Sequence, residues 1–191
     1  RLAGIFDDVW LYATPEMHIY DWLSTTDLDA DYADAQLNLS VYIRNFAMQQ
    51  KSGYTVRAVL YDPGKKGVTT IVSDQFTVMP GNKLEVELAE KIKDPFKWSA
   101  EHPDLYYLTM ELIGSGGEVI EAVSGRIGFK ETEIRDQIFY LNGVPVKLNG
   151  INSHMQHPTL GHTMDEATIR KDMNIFKQFN INCVRTSHYP P

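Results

Sequence analysis

One cysteine, Cys183, stands in a chain of 191 residues, so no intramolecular disulfide braces the fold and its stability rests on burial and hydrogen bonding. The thiol lies in an apolar run and is expected in a core, so it indicates no redox compartment. No segment approaches the ~18 to 20 apolar residues of a membrane span, and Arg1-Leu2-Ala3-Gly4 is no signal peptide. A membrane partner is therefore not expected, and the compartment, cytoplasmic or periplasmic, stays open. Positive charge is also short: 18 Lys and Arg against 25 Asp and Glu leave a net charge of −7, which argues against nucleic acid as a partner. Repeats and low-complexity runs are missing as well. What is present, 43% apolar residues with moderate charge, describes a globular chain able to bury a core over one domain or one and a half.

The first 135 residues read as all-β. Residues 9–12 are expected to form a short strand that Pro15 ends, and residues 17–24 resume with partial alternation. Residues 36–44 alternate polar and apolar strictly, as a half-buried strand does. Further strands are expected at 54–61, 67–78 and 83–88, separated by the turn signals Pro63-Gly64 and Pro80-Gly81-Asn82. Residues 105–113 and 118–127 pair around Gly114-Ser115-Gly116-Gly117 as a hairpin. About seven strands at this spacing imply a mainly β fold, an immunoglobulin-like β-sandwich, without the cysteine pair of antibody domains. Trp98, Pro103 and Tyr106 carry aromatic surface that could stack on a sugar ring. Large aromatics are more often core residues, and this stretch is read as a corner of the sandwich with Trp98 as its anchor. Asn38-Leu39-Ser40 is a formal glycosylation sequon placed mid-strand, read as chance. Asp27 to Asp31 lacks the further ligands of a calcium loop and is read as a solvated turn.

The last forty-odd residues change grammar. Val146, Leu148 and Ile151 supply a short apolar run that stops at a histidine-rich loop. Met164-Asp165-Glu166 then opens a helical pattern with acids in its first turn. Ile169, Met173, Phe176 and Lys177 recur at helical spacing, which predicts one buried face. Ile181, Cys183 and Val184 give a second short strand ending in Arg185-Thr186-Ser187-His188. Between the two units, Asn142-Gly143 signals a hairpin. Strand, helix, strand is one βαβ unit, and parallel strands put their carboxyl ends on one side, where α/β folds build chemistry. Those ends carry Ser153, His154, His157, Arg185, Ser187 and His188, more polar groups than packing needs.

The runs NGVPVKLNGINSHMQHP and TMDEATIRKDMNIFKQFNINCVRTSHYP resemble the start of the catalytic barrel of family 2 glycoside hydrolases, whose usual form is close to GVNRHEHHP followed by KQFNFNAVRTSHYP. The opening RLAGIFDDVWLYATP and the internal WSAEHPDLYYL resemble two further landmarks of that family's β-galactosidase branch, in family order. The resemblance implies a chain excised from a longer enzyme. Residues 1–13 would end a preceding sugar-binding domain or form a lead-in strand, 14–130 the immunoglobulin-like sandwich, and 131–191 the first βαβ of a (β/α)8 TIM barrel. It implies retaining hydrolysis of β-D-galactosyl residues, with a β-galactoside as partner and oligomerisation or self-association of the chain.

Such hydrolysis needs two carboxyl groups flanking the bond. Asp165, Glu166 and Asp172 all fall on the helix, so the acid/base and nucleophile are expected beyond Pro191 and the chain alone is expected to be inactive. By motif position, His154 and His188 resemble sugar-contacting histidines, and Arg185 resembles the arginine that orients the nucleophile. Where the family usually has Arg-His-Glu-His-His-Pro, this chain has Ser153-His154-Met155-Gln156-His157-Pro158, which changes the surroundings of His154. A metal site built from His154, His157, His162 and His188 competes with this reading but lacks the acid or cysteine that zinc sites of such spacing carry. No cofactor is expected here; the resemblance leaves room for a divalent cation in a full-length enzyme. Two alternatives are a β-glucuronidase-like enzyme, which shares the Arg-Thr-Ser-His-Tyr-Pro pattern, and a non-catalytic sandwich acting as scaffold or interaction module. A lone βαβ exposes strand edges and an apolar helix face, so the sandwich, the hairpin or a neighbouring chain is expected to cover it.

Overall fold

The strict alternation of residues 36–44 becomes the middle strand of a sheet. The computed structural model describes residues 5, 8–154 and 156–187. In it β1 (Met17–Leu28), β2 (Ala35–Asn45) and β6 (Lys83–Ile92) form an antiparallel sheet in the order β1-β2-β6. The facing sheet takes β4 (Gly67–Val72), β3 (Lys51–Tyr61), β7 (Tyr106–Ile113) and β8 (Val119–Ile127) in that order, with β5 (Phe76–Val78) beside the start of β3. Leu37, Leu39, Val41 and Ile43 point inward from β2 and are essentially unexposed, as are Val56, Ala58 and Leu60 of β3 and Leu108, Met110 and Leu112 of β7. Each large aliphatic chain buried this way contributes roughly 1.5–3 kcal/mol. Phe129 fills one end, edge-on to the Tyr106 ring at 4.8 Å. Burial raises the pKa of the Tyr106 phenol, whose oxygen accepts the Phe96 N–H at 2.9 Å.

Several sequence expectations need correction. Residues 9–12 form no strand: Val9, Trp10, Leu11 and Tyr12 are exposed, and no described neighbour pairs with them. A strand requires a ladder partner, which apolar composition alone does not supply. The partial alternation of residues 17–24 is a bulge: the register shifts between Ile19 and Asp21, and the Ile19 N–H is taken by the Glu121 carboxylate at 2.6 Å. The expected strand 67–78 is broken into β4 and β5, because Ser73 turns its hydroxyl to the Val56 N–H at 2.9 Å in place of a carbonyl. The sandwich corner is held by the Trp98 N–H donating to the Phe129 carbonyl at 2.8 Å, with the Lys130 ammonium 4.8 Å from the half-buried indole ring.

Two polar residues fasten what the ladder leaves open. Asn45 is wholly buried, yet its amide donates to Gln49 O at 3.0 Å and Val78 O at 2.9 Å and accepts from Ala47 N at 2.9 Å. Asn142 accepts from Glu131 N at 2.9 Å and donates to Trp98 O at 3.1 Å. Asn142 and Gly143 both have positive φ, as a two-residue hairpin turn of the primed type requires, joining β10 (Ile138–Leu141) to β11 (Val144–Pro145). A second such turn, Asp136-Gln137, also with positive φ, joins β9 (Thr132–Arg135) to β10. Tyr32 leans over this meander, its hydroxyl donating to Glu133. Its ring occupies the space a Cβ at Gly143 would need.

The structure divides into two compact units, Ala13–Pro145 and Val146–Pro191 with Arg1–Tyr12. In the second, β12 (Gly150–Ser153) and β13 (Cys183–Thr186) pair in parallel and α1 (Glu166–Gln178) connects them, the βαβ read from sequence. Its predicted buried helix face is not buried: no residue of α1 is, and Met173 is 43% exposed. A two-stranded ladder offers too little surface to cover a helix, and for the same reason Cys183 is half-buried rather than in a core.

Gly143→Ala must adopt a left-handed backbone and displace Tyr32, so it is expected to cost about 1–3 kcal/mol. Asn45→Ala strands buried groups at about 1–3 kcal/mol each. Denaturant unfolding of the two variants measures both, with Gly81→Ala, strained but sterically free, separating strain from collision at Gly143.

Candidate functional site

The candidate site lies at the carboxyl ends of β12 and β13. Register pairs Asn152 with Arg185 and Ser153 with Thr186, and one residue on, the Ser187 N–H donates to the Ser153 carbonyl at 2.8 Å. His154 thus leaves β12 at the level where Ser187, which is buried, leaves β13. The Arg185 guanidinium reaches the Asn152 Oδ1 and the Ser187 Oγ, each at 3.4 Å. Neutral acceptors on both sides help orient the guanidinium. The structure therefore brings His154, Arg185 and Ser187 to one end of the ladder. His188, the third expected substrate contact, lies outside the described residues.

The loop after β12 folds around His157. Its N–H donates to Gly161 O at 2.7 Å, and the Gly161 N–H returns a bond at 3.2 Å. The His157 Nδ1 accepts the Thr159 and Leu160 N–H groups at 3.2 and 3.1 Å. An imidazole committed to two amides needs its Nδ1 lone pair free of a proton and holds the loop shape, so His157 acts as the loop's internal cap. His162 and His157 line an open cleft of about 420 Å³ with Gln156, Pro158 and Gly161. Among the described residues no three His, Cys, Asp or Glu side chains gather as metal ligands.

Two of the helix acids, Asp165 and Glu166, have structural work. Asp165 is the N-cap, accepting the Thr168 N–H at 2.7 Å, and this bonding holds its carboxyl below the usual range. Glu166 pairs with Arg170 one turn on at 2.5 Å. At the far end Asn180, at φ 55°, closes a Schellman motif: Ile181 N bonds Phe176 O at 2.9 Å and Asn180 N bonds Lys177 O at 3.1 Å. Two residues that the sequence reading passed over complete the site's frame. Asn149 N donates to Asn182 Oδ1 at 2.8 Å and Asn182 Nδ2 to Lys147 O at 3.0 Å, so paired amides extend the ladder below the point where strand pairing begins. Asn152, the acceptor beside Arg185, was likewise passed over. Its position two residues before His154, on the outward phase of a short strand, was the available signal.

Two family models match this chain: one described as glycosyl hydrolases family 2, over residues 17–130, and one as the TIM barrel domain of the same family, over residues 132–191. The chain belongs to glycosyl hydrolases family 2. A β-galactosidase of Priestia megaterium is 38% identical over 191 residues, all of this chain and 18% of that protein. One of Vibrio cholerae is 38% identical over 196 residues, 99% of this chain and 19% of that protein. The family 2 chain therefore spans under a fifth of the length of these curated relatives. Among solved structures, a Bacteroides uniformis β-glucuronidase matches with a TM-score of 0.83 at 22% identity, over 93% of this chain and 22% of that one. A β-glycosidase from Bacteroides vulgatus gives 0.78 at 22% identity, with the same coverage. At such identity the likeness is one of fold, and the fold is the family's sandwich with the start of its barrel domain.

Because the folded pKa of Asp165 is depressed, the cap's contribution is complete above the unfolded carboxylate range and is lost as pH falls through the folded value. In an NMR titration the Thr168 amide resonance of this family 2 chain is expected to move with a midpoint below pH 3.8, the ordinary aspartate value, and Asp165→Ala abolishes that transition.

Proposed function

We propose that this chain supplies the sandwich and the opening barrel segment of a retaining β-galactosidase that hydrolyses terminal non-reducing β-D-galactosyl residues. The observation that carries the reading is identity of 38% across the whole chain to a protein named β-galactosidase. The polar strand ends of the βαβ support it. On this reading residues 14–130 are the sandwich and 131–191 the start of the catalytic domain. The acid/base and the nucleophile belong to other parts of the enzyme, since Asp165 and Glu166 are engaged in capping and pairing α1. The 191 residues alone are then inactive.

What this segment contributes is binding and orientation. His154 and His188 hydrogen-bond hydroxyls of the galactosyl ring, and Arg185, steadied by Asn152 and Ser187, holds the nucleophile in its charged form. A carboxylate kept ionised beside a guanidinium attacks the anomeric carbon, while a second carboxyl group protonates the departing oxygen. No cofactor is assigned to this segment, and any divalent cation belongs to the remainder of the enzyme. A β-glucuronidase activity is the competing assignment, because such enzymes share the Arg-Thr-Ser-His-Tyr-Pro pattern of residues 185–190.

The test is hydrolysis of a panel of aryl β-glycosides by the full-length enzyme beside His154→Ala, Arg185→Ala and His188→Ala. Galactoside turnover with kcat/KM lowered tenfold or more in each variant, roughly 1.4 kcal/mol, is the expected result. Preference for a glucuronide would move the substrate assignment, and silent variants would make these residues structural.

A further inference from the structure

Several cations of the sandwich stand beside an acid: Arg57 with Glu111, Lys91 with Asp34 and Lys97 with Asp94. Arg44 and Lys83 depart from that arrangement. The register of β2 and β6 sets them directly opposite each other, where partners stand about 4.5–5.5 Å apart at Cα and like charges are destabilising. The chain has 25 acids against 18 Lys and Arg, so a counter-charge was not scarce. Yet among the described residues neither cation makes an ion pair. Arg44 is half-buried, and its Nε is buried without a hydrogen-bond partner, a costly state for a guanidinium that has no counter-ion.

Aromatic rings hold the two cations in place. The Arg44 Cζ lies 4.2 Å from the centre of the Phe46 ring and 5.7 Å from that of Tyr20, and the Lys83 Nζ lies 4.3 Å from the Tyr20 ring. Tyr20 is the residue skipped by the β1 bulge, and its ring reaches across β2 to Lys83 on β6. His18 stacks on Phe46 at 5.5 Å and is itself fixed by its Nδ1 bond to the Pro15 carbonyl at 3.0 Å. Tyr20 and Phe46 remain 50% and 53% exposed. Ring faces attract a cation without cancelling its charge. The next row along the same face is acidic: Asp21, Tyr42 and Glu85 are cross-strand partners, roughly 6–7 Å from the cations at the rise of a strand. Glu85 takes the Tyr42 hydroxyl and Asp21 the Trp22 N–H at 2.8 Å, and neither closes on Arg44 or Lys83.

We infer that this face of the sandwich binds a sugar acid, its carboxylate on Arg44 and Lys83 and its ring hydroxyls donating to Asp21 and Glu85. A row of cations beside a row of carboxylates suits a ligand that is an oxyanion at one end and a hydroxyl donor at the other. A pyranose bearing a carboxylate has both ends, separated by about the width of its ring. The carboxylate supplies the counter-charge that the chain withholds, with the geometry a guanidinium favours, and the exposed edge of Tyr20 offers the ring an apolar flank. A plain anion uses one row and is repelled by the other; a neutral sugar leaves the cations uncompensated. All of these residues belong to the sandwich, and the inference stands independently of the β-galactosidase reading.

The experiment titrates the 191-residue chain with methyl α-D-galacturonide and follows the backbone amide resonances by NMR, at constant ionic strength because exposed charges are screened by salt. Saturable shifts at Arg44, Phe46 and Lys83 are expected. Arg44→Gln and Lys83→Gln are each expected to raise Kd at least fivefold. Methyl α-D-galactoside, which lacks the carboxylate, is expected to bind at least fivefold more weakly than the galacturonide, as are acetate and glycine, which lack the ring. Near-ultraviolet circular dichroism and the unfolding midpoint check that each variant is folded; Lys83 is exposed, so its variant keeps the test decisive where Arg44→Gln disturbs the packing. No saturable shift at these residues, or a Kd unchanged in the folded variants, overturns the inference. Acetate or glycine bound as tightly as the galacturonide overturns the sugar acid in favour of a plain carboxylate or an amino acid.

Discussion

Parallel strands can be joined only by a crossover, and that constraint fixes where every polar residue of the candidate site falls. β12 and β13 share four register pairs, and α1 must return the chain to the start of the second strand, so both strands end on the same side. His154, Arg185 and Ser187 are neighbours for that reason, although some thirty residues of chain separate the two strand ends. The capping of α1 is the corollary. Asp165 starts the helix and the Schellman closure at Asn180 ends it, so the crossover has a defined length and delivers β13 in register. A slip of one residue would exchange Arg185 for Val184 or Thr186 at the point where Asn152 can steady it.

The sandwich rests on a different balance. Its inward rows are apolar and nearly solvent-free, and this burial is cooperative across both sheets. Yet its ends are defined by polar side chains that take over from the backbone: Asn45 where β2 stops, Ser73 where β4 breaks, Asn142 where the meander turns. Each satisfies backbone groups that would otherwise be buried unpaired, a cost comparable to losing a whole hydrogen bond. The same device recurs in the barrel-type segment, where Asn149 and Asn182 lengthen a ladder of four register pairs.

This division explains what could be read in advance. Periodicity reports burial, so residues 36–44, the hairpin around residues 114–117 and the βαβ were legible from the chain, as was the Asn142-Gly143 turn, whose residue types match its backbone. The Asp136-Gln137 turn was not legible, because glutamine gives no signal for positive φ and only the meander's pairing holds it there. Residues 9–12 show the converse failure: apolar and β-prone, they lack a described partner and so do not become a strand. The apolar stripe of α1 was real in sequence but not buried, since amphipathicity states what a helix would bury and not what is present to cover it. At the site, strand-end position and motif resemblance marked His154 and Arg185. Asn152 had only its outward phase two residues before His154 to mark it, and its role depends on a partner 33 positions away.

The chemistry of the site follows from the kinds of groups that it gathers. In the βαβ segment, Asp165 and Glu166 are bound to the helix they serve, and the groups gathered at the strand ends are an imidazole, a guanidinium, an amide and a hydroxyl. Such a set can bind hydroxyls and stabilise an anion. On the proposed reading the two carboxyl groups of retaining glycoside hydrolysis belong to other parts of the enzyme. Further barrel strands beside β12 and β13 would both cover α1 and carry those groups, so structural completion and catalytic completion would be one event.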